Sequence, residues 1–149
     1  SGAAGVHIGL GDGSIRAAGK LLGSDKIIGA TAHNLDEALA AQAAGADYIG
    51  VGAAFGSKSK GNAVRLANLK AYRDITSAVD IPVIAIGGIN AGNVGELAGL
   101  GLSGIAVISA IFGSRDIAAS AHELRAAAQA LTSSPCAEDN SEEGTETDG

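Results

Sequence analysis

The chain has 149 residues, only 3% of them aromatic, and neither Trp nor Met. Six of its 16 acids (Glu138, Asp139, Glu142, Glu143, Glu146 and Asp148) lie beyond Thr132, where there is no Lys or Arg; the other ten face ten bases, so the net charge of -6 belongs to the tail and the body is neutral. A neutral body argues against a general nucleic-acid surface, and no apolar run approaches the roughly 20 residues that span a bilayer. The single Cys136 supports neither an internal disulfide nor a cysteine metal cluster, which points to a reducing, cytoplasmic setting. The opening SGAAGVHIGL has no basic stretch before its apolar run, so no signal peptide is expected.

Strand and helix signals alternate along the body. Gly5–Gly9 is short and apolar, and Ser14–Gly23 follows with Ile15, Ala18 and Leu22 at helical spacing. Lys26–Thr31 is the next expected strand. In Asn34–Gly45, Asn34 reads as an N-cap, Glu37 completes a capping box and Gly45 is a stop signal. Asp47–Gly52 is a strand, and the loop from Gly50 to Ala63, GVGAAFGSKSKGNA, follows it. Asn68–Val79 carries Leu69, Tyr72, Ile75 and Val79 on one helical face. Ile81–Gly88 is a continuous apolar strand, with Pro82 tolerated near its start. Asn90–Gly101 reads as a short helix, Gly104–Ser109 as a strand and Asp116–Leu131 as the closing helix. The last residues, 132–149, have almost no large apolar side chain and read as a disordered acidic tail.

Five strand–helix units with strands apolar on both faces predict a parallel α/β architecture. An open doubly wound sheet and part of an eight-unit barrel both fit; five units cannot close a barrel of roughly 200 to 250 residues. In either case the ligand site is expected beyond the C-terminal strand ends. Two ends stand out. Gly87-Gly88 permits close approach of an oxyanion to the backbone, and Ser109 adds a hydroxyl, which together suit a phosphate. The loop with Ser57, Lys58, Ser59 and Lys60 reads either as a solvated loop or as an anion cradle.

Taken together in order and spacing, GVHIG with an Asp shortly after, IIGATAHNLDEALAAQAAGADYIGVG, FGSKSK, PVIAIGGIN and GIAVISAIFG resemble the thiamine-phosphate synthase family from Gly5 to about Leu131. The resemblance implies a TIM-barrel-type (βα) domain over residues 1–131, here as about five of eight units. It implies a transferase of thiamine biosynthesis that joins hydroxymethylpyrimidine diphosphate to hydroxyethylthiazole phosphate and releases pyrophosphate. Pyrophosphate leaves first, and the thiazole nitrogen captures the resulting pyrimidine-methyl cation. The partners implied are these small molecules, with Mg2+ as cofactor, and no nucleic acid or membrane.

Roles carry over position by position. Asp12 matches an aspartate that helps hold Mg2+. Thr31 stands where the family usually has Ser and is expected, with Lys60, to be catalytic. Ser57, Ser59 and Lys60 fall on a Thr-x-Thr-Lys motif: Lys60 neutralises the departing pyrophosphate and the hydroxyls donate to it or to the thiazole phosphate. Gly88, Ile108 and Ser109 match the thiazole-phosphate site, Ile108 through its backbone. His33, tempting as a base, is expected to be structural, as is Asp47 at the opposite strand end; Tyr48 and Phe55 are expected in the core. Leu10 and Gly11 depart from the family pattern of Gln and an acid, and the family's leading units, which supply an Asn-Asp pair and further diphosphate contacts, precede the matched region. Two alternatives stay open. One is a thiazole tautomerase-like relative. The other is a non-catalytic phosphate-binding half-barrel that completes itself as a homo-oligomer or with a partner supplying the missing units, because open sheet edges need cover.

Overall fold

A computed structural model of the chain describes residues 2–56 and 69–133. Five parallel strands form one sheet: β1 (Gly5–Ile8), β2 (Ile27–Ala32), β3 (Tyr48–Gly52), β4 (Val83–Ile86) and β5 (Gly104–Ala106). The helices are α1 (Ile15–Leu22), α2 (Leu35–Ala44), α3 (Lys70–Ala78), the single-turn α4 (Ser109–Phe112) and α5 (Ile117–Ser133). The strand order is β1-β2-β3-β4-β5, each strand pairing in parallel with its sequence neighbour. A doubly wound sheet reverses its order at a switch point. This one never does, so it is an arc of a TIM-type barrel.

Local signals explain most element ends. Asn34 Oδ1 accepts from the Glu37 N–H at 2.9 Å, and Gly45 closes α2 at φ +95°. Ser14 caps α1, and Asp116 Oδ1 accepts from the Ala119 N–H at the start of α5. The segment read as a helix from Asn90 to Gly101 is instead turns around one 3-10 turn, Val94–Leu97. Its four glycines (Gly92, Gly95, Gly99 and Gly101) disfavour a regular helix. Strand β5 stops at Ala106, and Ser109, read as its end, opens α4.

One face of the sheet lies under helices. Ile28, Ala30, Ala32, Ile49, Val51, Val83 and Ala85 are buried there with Ala38 and Ala41 of α2 and Tyr72 and Ile75 of α3. Small side chains on β2 and α2 let helix and sheet approach closely. Tyr72, completely buried, donates its hydroxyl to the Val51 carbonyl at 2.7 Å. Burial pushes its pKa up, a backbone hydrogen bond with Ile86 opposes the shift, and the phenol stays protonated as a donor. At the N-terminal strand ends, Asp47 Oδ2 accepts from the Ile28 N–H at 2.7 Å, tying β2 to β3 as a structural residue.

Tyr72→Phe should therefore lower unfolding stability by about 1–2 kcal/mol, because it leaves the buried Val51 carbonyl without this donor; urea unfolding of both proteins measures it, and a loss below a few tenths would show the bond to be dispensable.

Candidate functional site

The other face of the sheet carries the alternate residues, and these lead to the site. Side chains alternate along a strand, so His7, Thr31, Tyr48, Ile84, Ile86 and Ala106 share this face, all exposed or half-buried. The register places His7 beside Gly29 and Gly29 beside Tyr48. His7 and Tyr48 stand two strands apart, a backbone separation near 9.5 Å. A Cβ on Gly29 would fall inside the Tyr48 ring. Glycine leaves that space empty, and the two rings meet across it at 5.5 Å between centroids. Tyr48 Oη and His7 Nδ1 lie 3.0 Å apart, and His7 Nε2 and Thr31 Oγ1 2.9 Å. Where the Tyr48 hydroxyl donates to Nδ1, Nε2–H donates to Thr31, and the Thr31 proton is left for a ligand. His7 is a site residue that sequence reading missed. Tyr48, expected in the core, instead belongs to this half-buried polar chain.

Beyond the strand ends lies a cleft of about 510 Å³. Asp12, Thr31, Gly88, Ile108 and Ser109, expected at the site from the sequence, all line it, as do His7 and His33. Ser57, Ser59 and Lys60 lie outside the described residues, as does Cys136. Gly87 and Gly88 adopt φ of +99° and +69°, where a side chain is strained. A Cβ on Gly88 would also strike the Gly56 carbonyl and Phe55. The turn is pinned from both sides: Ala54 N–H donates to the Ile86 carbonyl at 2.8 Å and Phe55 N–H to the Gly87 carbonyl at 3.0 Å. Amides of Asn90 and Asn93 donate to the Gly88 carbonyl at 3.3 and 3.0 Å. Among the described residues, neither the Gly88 nor the Ile89 N–H donates to a protein acceptor. Such successive N–H groups in a left-handed turn suit an anion.

Asp12 Oδ2 accepts from the Gly9 N–H at 2.9 Å, which closes the β1–α1 turn and holds the carboxylate at the cleft. Among the described residues no group of three His, Cys, Asp or Glu could hold a metal. Mg2+ takes one or two carboxylates and completes its shell with phosphate oxygens and water. Asp12 fits as one such ligand. His33 is held through its own backbone N–H and its Nδ1, at 2.7 and 3.1 Å from Glu37 Oε2. Partial burial pushes the Glu37 pKa up, but the His33 N–H and ring and the Asn34 amide outweigh it and hold the carboxyl below its ordinary value.

The chain is similar in sequence and fold to known proteins. The family model described as thiamine monophosphate synthase matches residues 1–111. The chain belongs to the thiamine monophosphate synthase family. The thiamine-phosphate synthase of Moorella thermoacetica is 46% identical over 121 residues, covering 81% of this chain and 58% of its own length. That of Pyrococcus abyssi is 44% identical over 121 residues, with the same coverages of 81% and 58%. The solved thiamine phosphate pyrophosphorylase from Pyrococcus furiosus superposes with a TM-score of 0.77 at 40% identity, covering 87% of this chain and 61% of the other. The chain thus spans little more than half the length of these relatives. Among the described residues no helix is long and apolar enough to cross a membrane.

Because the Glu37 carboxyl is held below 4.5, its contribution to stability is complete above that pH and is lost as pH falls through the lowered value. Glu37→Gln should flatten this part of the acid limb, so that the stability difference between pH 6 and pH 3 shrinks. An unchanged difference in chemical unfolding at the two pH values would contradict the role assigned to the His33 and Asn34 contacts.

Proposed function

We propose that this chain carries the thiazole-phosphate site and part of the diphosphate site of a thiamine-phosphate synthase. The observation that carries this reading is the convergence of Thr31, Gly88, Ile108 and Ser109, from three strand ends, on one cleft. In the proposed reaction the bond between the pyrimidine methylene carbon and the diphosphate oxygen breaks. Pyrophosphate leaves with the electron pair, and the lone pair of the thiazole nitrogen forms the new C–N bond to the cationic carbon. The barrier lies in charge separation, so donors already in place on the leaving group lower it.

The chain's own residues divide the work. Thr31, oriented by His7, donates its hydroxyl proton to the diphosphate or the pyrimidine side. Gly88 and Ile89 offer backbone N–H groups, Ser109 a hydroxyl and Ile108 its backbone to the thiazole phosphate, which orients the nucleophilic nitrogen. Lys60 acts as a point charge on the departing pyrophosphate, with Ser57 and Ser59 as further donors. Asp12 would help hold Mg2+, which when bound neutralises phosphate oxygens. Glu37 holds His33 through its Nδ1 and its backbone N–H, in keeping with the structural role read for it. The substrates are small and phosphorylated, and the lone Cys136 supports a cytoplasmic setting.

Calorimetric titration of hydroxyethylthiazole phosphate into the chain should give saturable binding, and supplying both substrates with Mg2+ to the protein that carries this chain should yield thiamine phosphate and pyrophosphate in equal amounts. Absence of binding, or isomerisation of the thiazole phosphate without any pyrimidine substrate, would overturn the reading. In the active protein, Lys60→Ala should lower kcat by about 100-fold or more, measured as pyrophosphate release.

A further inference from the structure

We propose that Asn93, assisted by Asn90, is a positioning residue for the oxyanion site: its side-chain amide selects the orientation of the Gly88–Ile89 peptide that presents N–H groups to the cleft. The inference rests on the phosphate-site reading above and adds to it the residue that makes the site work. The need for such a residue follows from the glycines. Two successive left-handed residues let an anion approach the backbone closely, and Gly88 itself puts no side-chain restraint on rotation of the following peptide, so the restraint comes from Ile89, for which a flip would mean positive φ, and from groups that bind the peptide. One orientation directs an N–H at the ligand. The flipped one directs a carbonyl oxygen at it, and an anion is then repelled.

The contacts around the Gly88 carbonyl choose between the two. Asn93 Nδ2 donates to the Gly88 carbonyl at 3.0 Å and Asn90 Nδ2 to the same oxygen at 3.3 Å. Neither amide is loose: Asn93 Oδ1 accepts from the Asn90 N–H at 2.8 Å, and Asn90 Oδ1 from the Gly92 N–H at 2.9 Å. Because an amide is planar, fixing its oxygen on the backbone aims its nitrogen. The Gly88–Ile89 peptide is trans, so its C=O and N–H point in opposite directions. With the carbonyl turned to the asparagines, the Ile89 N–H is turned away from them, and both Gly88 and Ile89 line the cleft. The preceding peptide is fixed independently, because the Gly87 carbonyl accepts from Phe55 N–H at 3.0 Å, which directs the Gly88 N–H away from Phe55. Removing Asn93 therefore acts on one of the two donors and leaves the other in place.

The test is an amide NMR titration of the whole chain with inorganic phosphate and with hydroxyethylthiazole phosphate, following Gly88 and Ile89. In the unmodified chain both resonances should shift saturably. In Asn93→Ala the dissociation constant should rise roughly tenfold, in keeping with one weakened hydrogen bond to a charged group. The Ile89 shift should vanish while the Gly88 shift persists. Asn93→Ser keeps an oxygen able to accept the Asn90 N–H and lacks the amide donor, so it should reproduce the same split and carries the comparison if the alanine variant does not fold. Affinity within twofold of the unmodified chain, with the Ile89 response intact in either variant, overturns the positioning role. Absence of any response at Gly88 and Ile89 in the unmodified chain is a different failure: it removes the phosphate site itself, and the positioning role with it.

Discussion

Parallel pairing of every strand with its neighbour in sequence, in one continuous register, is the constraint on which the rest of this structure depends. It brings all five C-terminal strand ends to one rim, where the cleft lies. It also sorts side chains with a period of two. Ala30 and Ala32 go under α2, while Thr31 between them faces the half-open side with His7 and Tyr48. A slip of one residue on β2 would bury Thr31 under the helices and turn the alanines outward. The tight packing of small residues beneath α2 and α3 thus specifies the position of a hydroxyl on the opposite face. Core packing and site geometry are two consequences of one register.

Within that register, the absence of side chains at chosen points is as informative as their presence. Gly29 lets His7 and Tyr48 meet across an intervening strand, and at Gly50 a Cβ would crowd Ile86 and His7. The polar chain from Tyr48 through His7 to Thr31 fills space that these glycines leave. It ends on the hydroxyl that faces the cleft. The same logic governs Gly88, where a Cβ would strike the Gly56 carbonyl, so β4 can turn there against the segment leaving β3.

Much of this was legible in the sequence because it is periodic or local. Five strand–helix repeats follow from alternating apolar runs, and the caps at Asn34 and Gly45 act within one helical turn. Gly88 and Ser109 could be singled out because they close strands, and strand ends are where such folds bind; Asp12, Thr31 and Ile108 were legible only through the resemblance to the thiamine-phosphate synthase family. His7 could not. A lone histidine in a four-residue strand has no periodic signature, and its meaning depends on two other strands and on Gly29 between them. Asn93 was hidden for a related reason. It lies in a stretch whose Asn start and Gly stop resemble a helix, yet its side chain is spent on the backbone of Gly88, five residues upstream. The choice between an open doubly wound sheet and a barrel arc was likewise out of reach of composition, because both use the same units and differ only in strand order.

The division of labour at the cleft follows from what its described lining contains. Its charged side chain is a carboxylate, Asp12, and no Lys or Arg lines it among the described residues. A phosphate held there is held by neutral donors: backbone N–H groups and hydroxyls. Such donors are directional, and their strength depends on being aimed before the ligand arrives. That explains why they are braced so heavily, by Phe55, Asn90 and Asn93 at one strand end and by His7 at another. They orient an anion well but attract it only at short range. Attraction over distance needs net positive charge, and the sequence that continues from Gly56, whose carbonyl abuts Gly88, carries Lys58 and then Lys60, the lysine that the family resemblance points to. A site built this way separates orientation from charge neutralisation. In the proposed reaction the braced neutral donors would suit the phosphate that stays on the substrate, and Lys60 would suit the pyrophosphate that leaves.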